Sequence, residues 1–430
     1  MKIVLQVALD LLNIHRAEEI AKDSASGGAD WIEIGTPLIK SEGMNAVRKM
    51  REIFPDKTIV ADMKIMDTGG FETEMAAKAG ADVVCILAAA DDSTIIDAIK
   101  SAKKYGTKIM VDLIGVKDKI NRAEQMEKLD VDYLCMHVGI DEQMMGKKPI
   151  EILKKIVENT KIRVAVAGGL NTETIPDVID AGASIIIVGG AITKSEDVKK
   201  ATKTIKKTIQ QRKAEKTELF KKYDKKELFE AFSKVSTPNI SDAMHRTQSM
   251  QGIRPIKNGF HMVGRALTVK TIDGDWAKPV EAIDKADKNT VLVIDVNGGR
   301  TAIWGELATW SAKTRGIKGV VIDGAVRDLD DILKMDIPIF TRHFSSNAGE
   351  PKGYGEIGSE IKCGGLIVHN DDWVVGDDSG VVVIPKEIAQ EIANRALDIK
   401  EHENRIRREI KNDGSLGKVL KLKKWEKKIG

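Results

Sequence analysis

Along the first half of the chain, short β-rich apolar runs alternate with segments whose apolar residues recur at helical spacing. Eight runs can be counted: Ile3 to Ala8, Trp31 to Ile34, Thr58 to Ala61, Val83 to Leu87, Lys108 to Leu113, Tyr133 to His137, Arg163 to Ala167 and Ser184 to Val188. Between them lie segments such as Ala17 to Gly27, Phe71 to Gly80 and Thr94 to Tyr105, several closed by glycine as helix ends are. Strands that alternate with helices pair in parallel. A doubly wound open sheet shares this alternation, but eight units in about 200 residues match a compact (β/α)8 TIM barrel, and the count favours closure.

From about Lys226 the pattern changes to shorter β-rich runs with few helical pieces between them: Met262 to Ile272, Thr290 to Val296, Gly319 to Ile322, Leu366 to Val368 and Gly380 to Ile384. A second, mixed α/β domain is predicted there, followed by a helical segment from Ala389 to about Lys411. The expected organisation is an α/β chain with a barrel over 1–212, a Lys-rich linker over 213–227, a second domain over 228–395, and a charged C-terminal helix and tail over 396–430. A length of 430 residues suits two or three domains at roughly 100–200 residues each.

Composition narrows the function classes. Charged residues make up 31% and apolar ones 42%, a globular balance, and a formal net charge of +3 is too small and too evenly mixed to mark nucleic acid as the main partner. The basic stretch from Lys199 to Lys226 has apolar Ile205, Ile209 and Leu219 at near-helical intervals but no interleaved aromatics. It reads as the last barrel helix running into a solvated linker. Cys85, Cys135 and Cys363 show no CxxC or zinc spacing and read as reduced, buried thiols. No signal-like segment opens the sequence and no apolar run approaches 18 residues, so a cytoplasmic protein without a membrane partner is expected.

In a parallel barrel the chemistry sits where strands end, and the polar residues of the first half cluster there: Asp10, Glu33, Asp62, Lys64, Asp67, Asp112, His137 and Asp141. Alternate residues of a strand share a face. Asp62 and Lys64 should therefore point the same way, with Asp67 following, so that three charges converge on one small substrate. Each residue alone has a plainer reading, as a strand-end ion pair, a helix cap or a satisfied core histidine. Gly168-Gly169 and Gly189-Gly190 follow the seventh and eighth runs, where such barrels present backbone amides to a phosphate. One glycine pair is equally a simple turn, but two at adjacent positions predict a phosphorylated substrate.

Six segments carry a resemblance over about residues 1–212: Leu5 to Asp10, Glu33 to Pro37, Asp62 to Asp67, His137 to Asp141, Ala167 to Gly169 and Val188 to Ala191. Together they resemble 3-hexulose-6-phosphate synthases of the orotidine-monophosphate-decarboxylase suprafamily. The related 3-keto-L-gulonate-6-phosphate decarboxylases typically carry an arginine near His137, where this chain has Gly139, Ile140 and Asp141. The resemblance implies reversible aldol addition of formaldehyde to D-ribulose 5-phosphate, supported by magnesium or manganese. It further implies Glu33 and Asp62 as metal ligands, Lys64 held charged between Asp10, Asp62 and Asp67, and His137 in proton transfer. Asp67 would reach the neighbouring protomer's site in a homodimer. The rival for the barrel is the decarboxylase; a decayed scaffold fits poorly with so complete a charged set.

In the second domain the chemistry gathers in Gly298 to Leu307, which follows the strand Val291 to Val296 and then opens a helix, and in Val321 to Asp331. With Thr237 to Ala243 and Gly376 to Val381, these segments resemble the RraA-like family of ribonuclease regulators and 4-hydroxy-4-methyl-2-oxoglutarate aldolases, over about 228–395. The resemblance implies Asp328 as a magnesium ligand, Arg327 on an enolate oxygen, and the amides of Leu307 and Ala308 on a carboxylate. Asp331 matches an acid of the aldolase members, and Glu306 replaces their usual Asp. An oxo-acid lyase and a binding module with a ribonuclease partner are both compatible with this pattern. Dimeric barrels joined to trimeric second domains would assemble as a hexamer.

Overall fold

A computed structural model describes residues 3–139, 144, 150–217 and 221–419. The chain divides into two compact units, Met1–Lys222 with Glu401–Gly430, and Tyr223–Lys400. No helix among the described residues is long and apolar enough to cross a membrane.

The first unit is a closed barrel of eight parallel strands in chain order: β1 (Val4–Leu9), β2 (Trp31–Ile34), β3 (Thr58–Ile65), β4 (Val83–Leu87), β5 (Lys108–Asp112), β6 (Tyr133–His137), β7 (Arg163–Ala167) and β8 (Ile185–Val188). Closure is direct, because β1 pairs with both β2 and β8. Residue parity along each strand separates two cores. Leu5, Val7 and Leu9 of β1, Ile32 and Ile34 of β2, and Ile59 and Ala61 of β3 face outward into the layer of helices. The opposite parity fills the interior with Val4, Ala8, Val60, Val83, Cys85, Met110, Tyr133, Cys135, Ala165 and Ile187. Followed toward the strand ends, that inward parity reaches Glu33, Asp62, Asp112 and His137. The charged residues therefore sit as the top layer of a packed interior.

β3 departs from expectation. The apolar run ends at Ala61, but the strand continues to Ile65, with a register shift against β4 between Ala61 and Ile65 and a left-handed Lys64 at φ 46°. Asp62 and Lys64 thus lie within a bulged strand rather than after it, and the bulge re-aims Lys64. The helix Val198–Gln211 closes the barrel, burying Val198, Thr202, Ile205 and Ile209 on one face. Residues beyond 400 also group with this unit, where Arg408 pairs with Glu196 at 2.9 Å and Arg16 with Glu409 at 3.4 Å.

The second unit holds β9 (Arg254–Pro255), β10 (Met262–Lys270), β11 (Thr290–Asp295), β12 (Ala302–Trp304), β13 (Gly319–Val326), β14 (Ile339–Phe344), β15 (Glu356–Ile357), β16 (Ile361–Cys363), β17 (Leu366–Val368), β18 (Trp373–Asp377) and β19 (Gly380–Ile384). The main sheet runs β19-β18-β10-β11-β13-β14-β9, parallel from β10 through β14 and antiparallel at both edges, while β16 and β17 form a separate hairpin. The segment Gly298 to Leu307 opens the helix Glu306–Thr314 as expected, and β12, paired with β13, intervenes between its glycines and that helix.

Candidate active site

The barrel mouth carries a continuous charged network. Lys64 Nζ lies 2.8 Å from Asp62 Oδ2 and 3.2 Å from Asp112 Oδ2, and His137 Nδ1 lies 2.8 Å from that same Asp112 oxygen. Thr36, in the first turn of the helix Thr36–Glu42, donates its hydroxyl to Asp62 Oδ2 and to the Asp62 carbonyl, both at 2.8 Å. Gln6 Nε2 donates to Glu33 Oε2 at 2.7 Å. The sequence alone did not assign Asp112 or Thr36 a role. The signal for Asp112 lay in the register, since it ends β5 opposite Cys135, two residues before His137.

The electrostatics follow from crowding. Glu33 and Asp62 are each only 7% exposed. Burial, then the charges of Asp62 and Asp10, push Glu33 up to about 8, against the Gln6 hydrogen bond and Lys64. Asp10 is exposed as a residue at the rim, yet protein crowds its carboxyl enough that dehydration and then Asp62 raise it. Asp112 is buried, which alone would raise its carboxyl, but the hydrogen bond and charge of His137, with Lys64, hold it below the usual carboxylate range. Burial works against the Lys64 ammonium, and Asp62 and Asp112 overcome it, so Lys64 stays charged.

Two expectations need correction. Lys64, expected between Asp10, Asp62 and Asp67, is paired with Asp62 as expected but with Asp112 in place of the other two. Asp67 is exposed and accepts the Thr68 amide at 2.7 Å, because the chain has already left β3 and turned, with Thr68 left-handed at φ 51°. The three charges therefore do not converge within one chain. Asp141 lies outside the described residues.

Around this network the glycines make room. A Cβ on Gly35 would overlap Asp10 Oδ1, so the end of β1 and the start of the helix after β2 can approach only with glycine there. Gly168 has φ 110°, and a Cβ on it would overlap the Val138 carbonyl oxygen; Gly169 has φ 67°. Gly189 precedes a one-turn helix, Gly190–Thr193. The two glycine pairs thus stand on adjacent strands β7 and β8, beside Asp10, whose Oδ2 would lie 3.6 Å from a Cβ on Gly189.

The donor set can be tested for a cation. Among the described residues, Glu33 Oε1 and Asp62 Oδ1 accept no hydrogen bond, and three carboxylates share one ammonium in this corner. Hard oxygen donors with surplus negative charge fit a divalent cation of the magnesium kind. A second group, Asp112, Cys135 and His137, also brings its donor atoms within 4.8 Å of one another. It fits such an ion poorly, because Lys64 and His137 both occupy Asp112 Oδ2 and burial pushes the Cys135 thiol up.

In the second unit, Arg327 and Asp328 follow β13 directly, beside the start of the helix Glu306–Thr314. Asp328, left-handed at φ 59°, accepts the Glu306 amide at 3.1 Å and lies 3.4 Å from Arg327 Nε. A cavity of about 170 Å³ adjoins them, lined by Trp276, Trp304, Leu307, Ala308 and Arg327 among others. The Glu306 amide is thus taken up by Asp328, while Leu307 and Ala308, whose amides were expected to hold a carboxylate, line the cavity. Asp331 points elsewhere and pairs with Lys334 at 2.9 Å. Thr237 and Asp377 meet, with Thr237 N and Oγ1 donating to Asp377 at 2.8 and 2.6 Å, and this joint ties the helix Thr237–Ala243 to β18.

Comparison with known proteins agrees with this division. Residues 4–205 match the family described as Orotidine 5'-phosphate decarboxylase / HUMPS, and residues 237–383 match the RraA-like family, Aldolase/RraA. The 3-hexulose-6-phosphate synthase of Bacillus subtilis (strain 168) is 44% identical over 208 residues, spanning 48% of this chain and 99% of that protein. The enzyme of the same name from Mycobacterium gastri is 42% identical over 205 residues, with 48% and 99% covered. A crystal structure of a 3-hexulose-6-phosphate synthase is 42% identical, covers 49% of this chain and 100% of its own, and superimposes with a TM-score of 0.47.

Proposed function

Over residues 4–205 the chain belongs to the orotidine 5'-phosphate decarboxylase / HUMPS family, followed by an RraA-like domain, and from this premise we propose that the barrel is a 3-hexulose-6-phosphate synthase, an aldehyde-lyase. The observation that carries the reading is the hydrogen-bonded network Asp62–Lys64–Asp112–His137 at the barrel mouth, with buried Glu33 beside Asp62. The reaction removes a proton from C1 of D-ribulose 5-phosphate, and the enediolate carbon bonds to formaldehyde. The carbonyl electron pair of formaldehyde moves to its oxygen, which takes up a proton.

Each residue suits one part of that sequence. With Asp112 ionised, the His137 Nδ1–H donates to it, so in the neutral imidazole Nε2 is the nitrogen free to accept the C1 proton and later return it to the new alkoxide. Lys64 places a fixed positive charge where the enediolate develops, and Thr36 keeps Asp62 oriented toward it. Glu33 and Asp62 would hold a magnesium ion, or manganese in its place, whose contribution is to polarise the two enediolate oxygens. Gly168, Gly169, Gly189 and Gly190 would receive the phosphate and so fix the sugar's reacting end. Asp67, flanked by exposed Met66 (53%) and Phe71 (71%), suits a dimer face that carries it to a second copy of the barrel.

For the second unit, the pairing of Arg327 with a small, partly apolar cavity favours a magnesium-dependent lyase of oxo acids over a purely binding module. Formaldehyde consumption with ribulose 5-phosphate, in wild type and Asp62→Ala, tests the barrel. Wild type should consume formaldehyde and Asp62→Ala should not. An inert wild type that instead releases carbon dioxide from 3-keto-L-gulonate 6-phosphate would replace the reading with the decarboxylase. Pyruvate release from oxaloacetate with magnesium, lost in Arg327→Ala, tests the second unit; no release would leave the binding module.

A further inference from the structure

The segment that follows the barrel's last helix does not run free. Helix Val198–Gln211 ends at a left-handed Arg212, and the chain folds back against the loop after β7. The Glu215 amide donates to the Thr172 carbonyl at 3.2 Å, and the Thr172 hydroxyl donates to the Glu215 carbonyl at 2.7 Å. The Thr217 amide donates to Glu173 Oε1 at 2.8 Å. Lys207, on the helix, fastens Glu215 from the other side at 3.2 Å. Thr172 is 7% exposed, and its neighbour Asn171, also buried, caps the loop by accepting the Glu173 and Thr174 amides. The clamped residues begin three positions after Gly169. The cavity of about 410 Å³ beneath the strap is lined by Asn171, Thr172, Ala191 and Glu215 among others, so the strap backs the loops of both glycine pairs.

The strap lies beyond the end of the family match at residue 205. We propose that Glu215 to Thr217 form a strap that holds the phosphate loop in its binding form, with Thr172 and Glu173 as positioning residues for the phosphorylated substrate. The proposal rests on the reading that Gly168 and Gly169 receive the phosphate. A loop that is competent only part of the time binds more weakly by that fraction, and each strap bond raises the fraction.

The test uses the full-length chain. Thr172→Val removes one strap bond without changing shape, and a net hydrogen bond of this kind corresponds to about a 3- to 10-fold change. KM for ribulose 5-phosphate, and the inhibition constant of inorganic phosphate, should both rise by about that factor. The kcat and the KM for formaldehyde should stay within about twofold of wild type, because neither depends on the phosphate grip. Thr172→Ser should restore the wild-type values, and Glu173→Ala should reproduce the defect if Thr172→Val folds poorly. A lowered melting temperature with unmoved KM and phosphate inhibition would show a strap that only stabilises, and would overturn the proposal. Wild type without turnover would bring down the synthase reading and this proposal together, whereas active wild type with indifferent variants would bring down this proposal alone.

Discussion

The raised carboxyl of Glu33 would make the proposed metal binding a proton-releasing event. Burial, with Asp62 and Asp10 nearby, moves Glu33 from 4.5 to about 8, so at pH 7 roughly nine-tenths of the population carries a proton. A cation that takes Glu33 as a ligand must displace it. Binding of magnesium at pH 7 should therefore release close to one proton per ion, and apparent affinity should climb up to about tenfold per pH unit below pH 8 before levelling. The rise is worth on the order of 5 kcal/mol as an upper bound, which is the cost of ionising this residue in the metal-free barrel.

The sign for stability follows. Between about pH 4.5 and 8 the folded chain holds a proton that the unfolded chain has lost, so Glu33 makes the metal-free barrel less stable as pH rises through that window. Magnesium should oppose this trend. Calorimetric titration of magnesium at pH 7, in two buffers of different ionisation enthalpy, counts the protons directly. Glu33→Gln, which has no proton to lose, should bind magnesium weakly and release almost none. A proton count near zero in wild type, or an unchanged count in Glu33→Gln, would refute the assignment of this carboxylate as a ligand.

Further outcomes follow from the same geometry. Asp112→Asn removes the charge that sets the His137 tautomer and half of the Lys64 clasp, so kcat for formaldehyde consumption should fall by about 10²- to 10⁴-fold while circular dichroism stays native. Gly168→Ala combines a strained φ with overlap on the Val138 carbonyl; urea denaturation should show a loss of about 1–3 kcal/mol, together with a raised KM for ribulose 5-phosphate. Asp377→Ala frees both Thr237 donors, and chemical denaturation should show the second unit less stable by about 1–3 kcal/mol.

Much of the site was legible in the chain because strand parity is local. Once Trp31 to Ile34 and Tyr133 to His137 were recognised as strands, Glu33 and His137 had to share a face with Trp31 and Tyr133, and all four do face the interior side of the barrel. The extent of β3 was not legible, since Asp62 and Lys64 interrupt the apolar run that marks a strand, and only hydrogen bonding around the ring carries the chain on to Ile65. The basic stretch after residue 199 was legible as the last barrel helix, which runs Val198–Gln211, but the solvated linker expected after it was not a free one, since Glu215 pairs with Lys207 and its backbone is clamped to Thr172.

By itself the sequence determined which residues could do chemistry and on which face of each strand they would stand, because side-chain type and two-residue periodicity are properties of neighbouring positions. The tertiary structure decided which of them act together. Asp112 joins Lys64 from 48 positions away and His137 from 25, while Asp67, only three from Lys64, is turned out of the network. Barrel closure and strand register set those distances, and both depend on pairings between strands that no local pattern encodes.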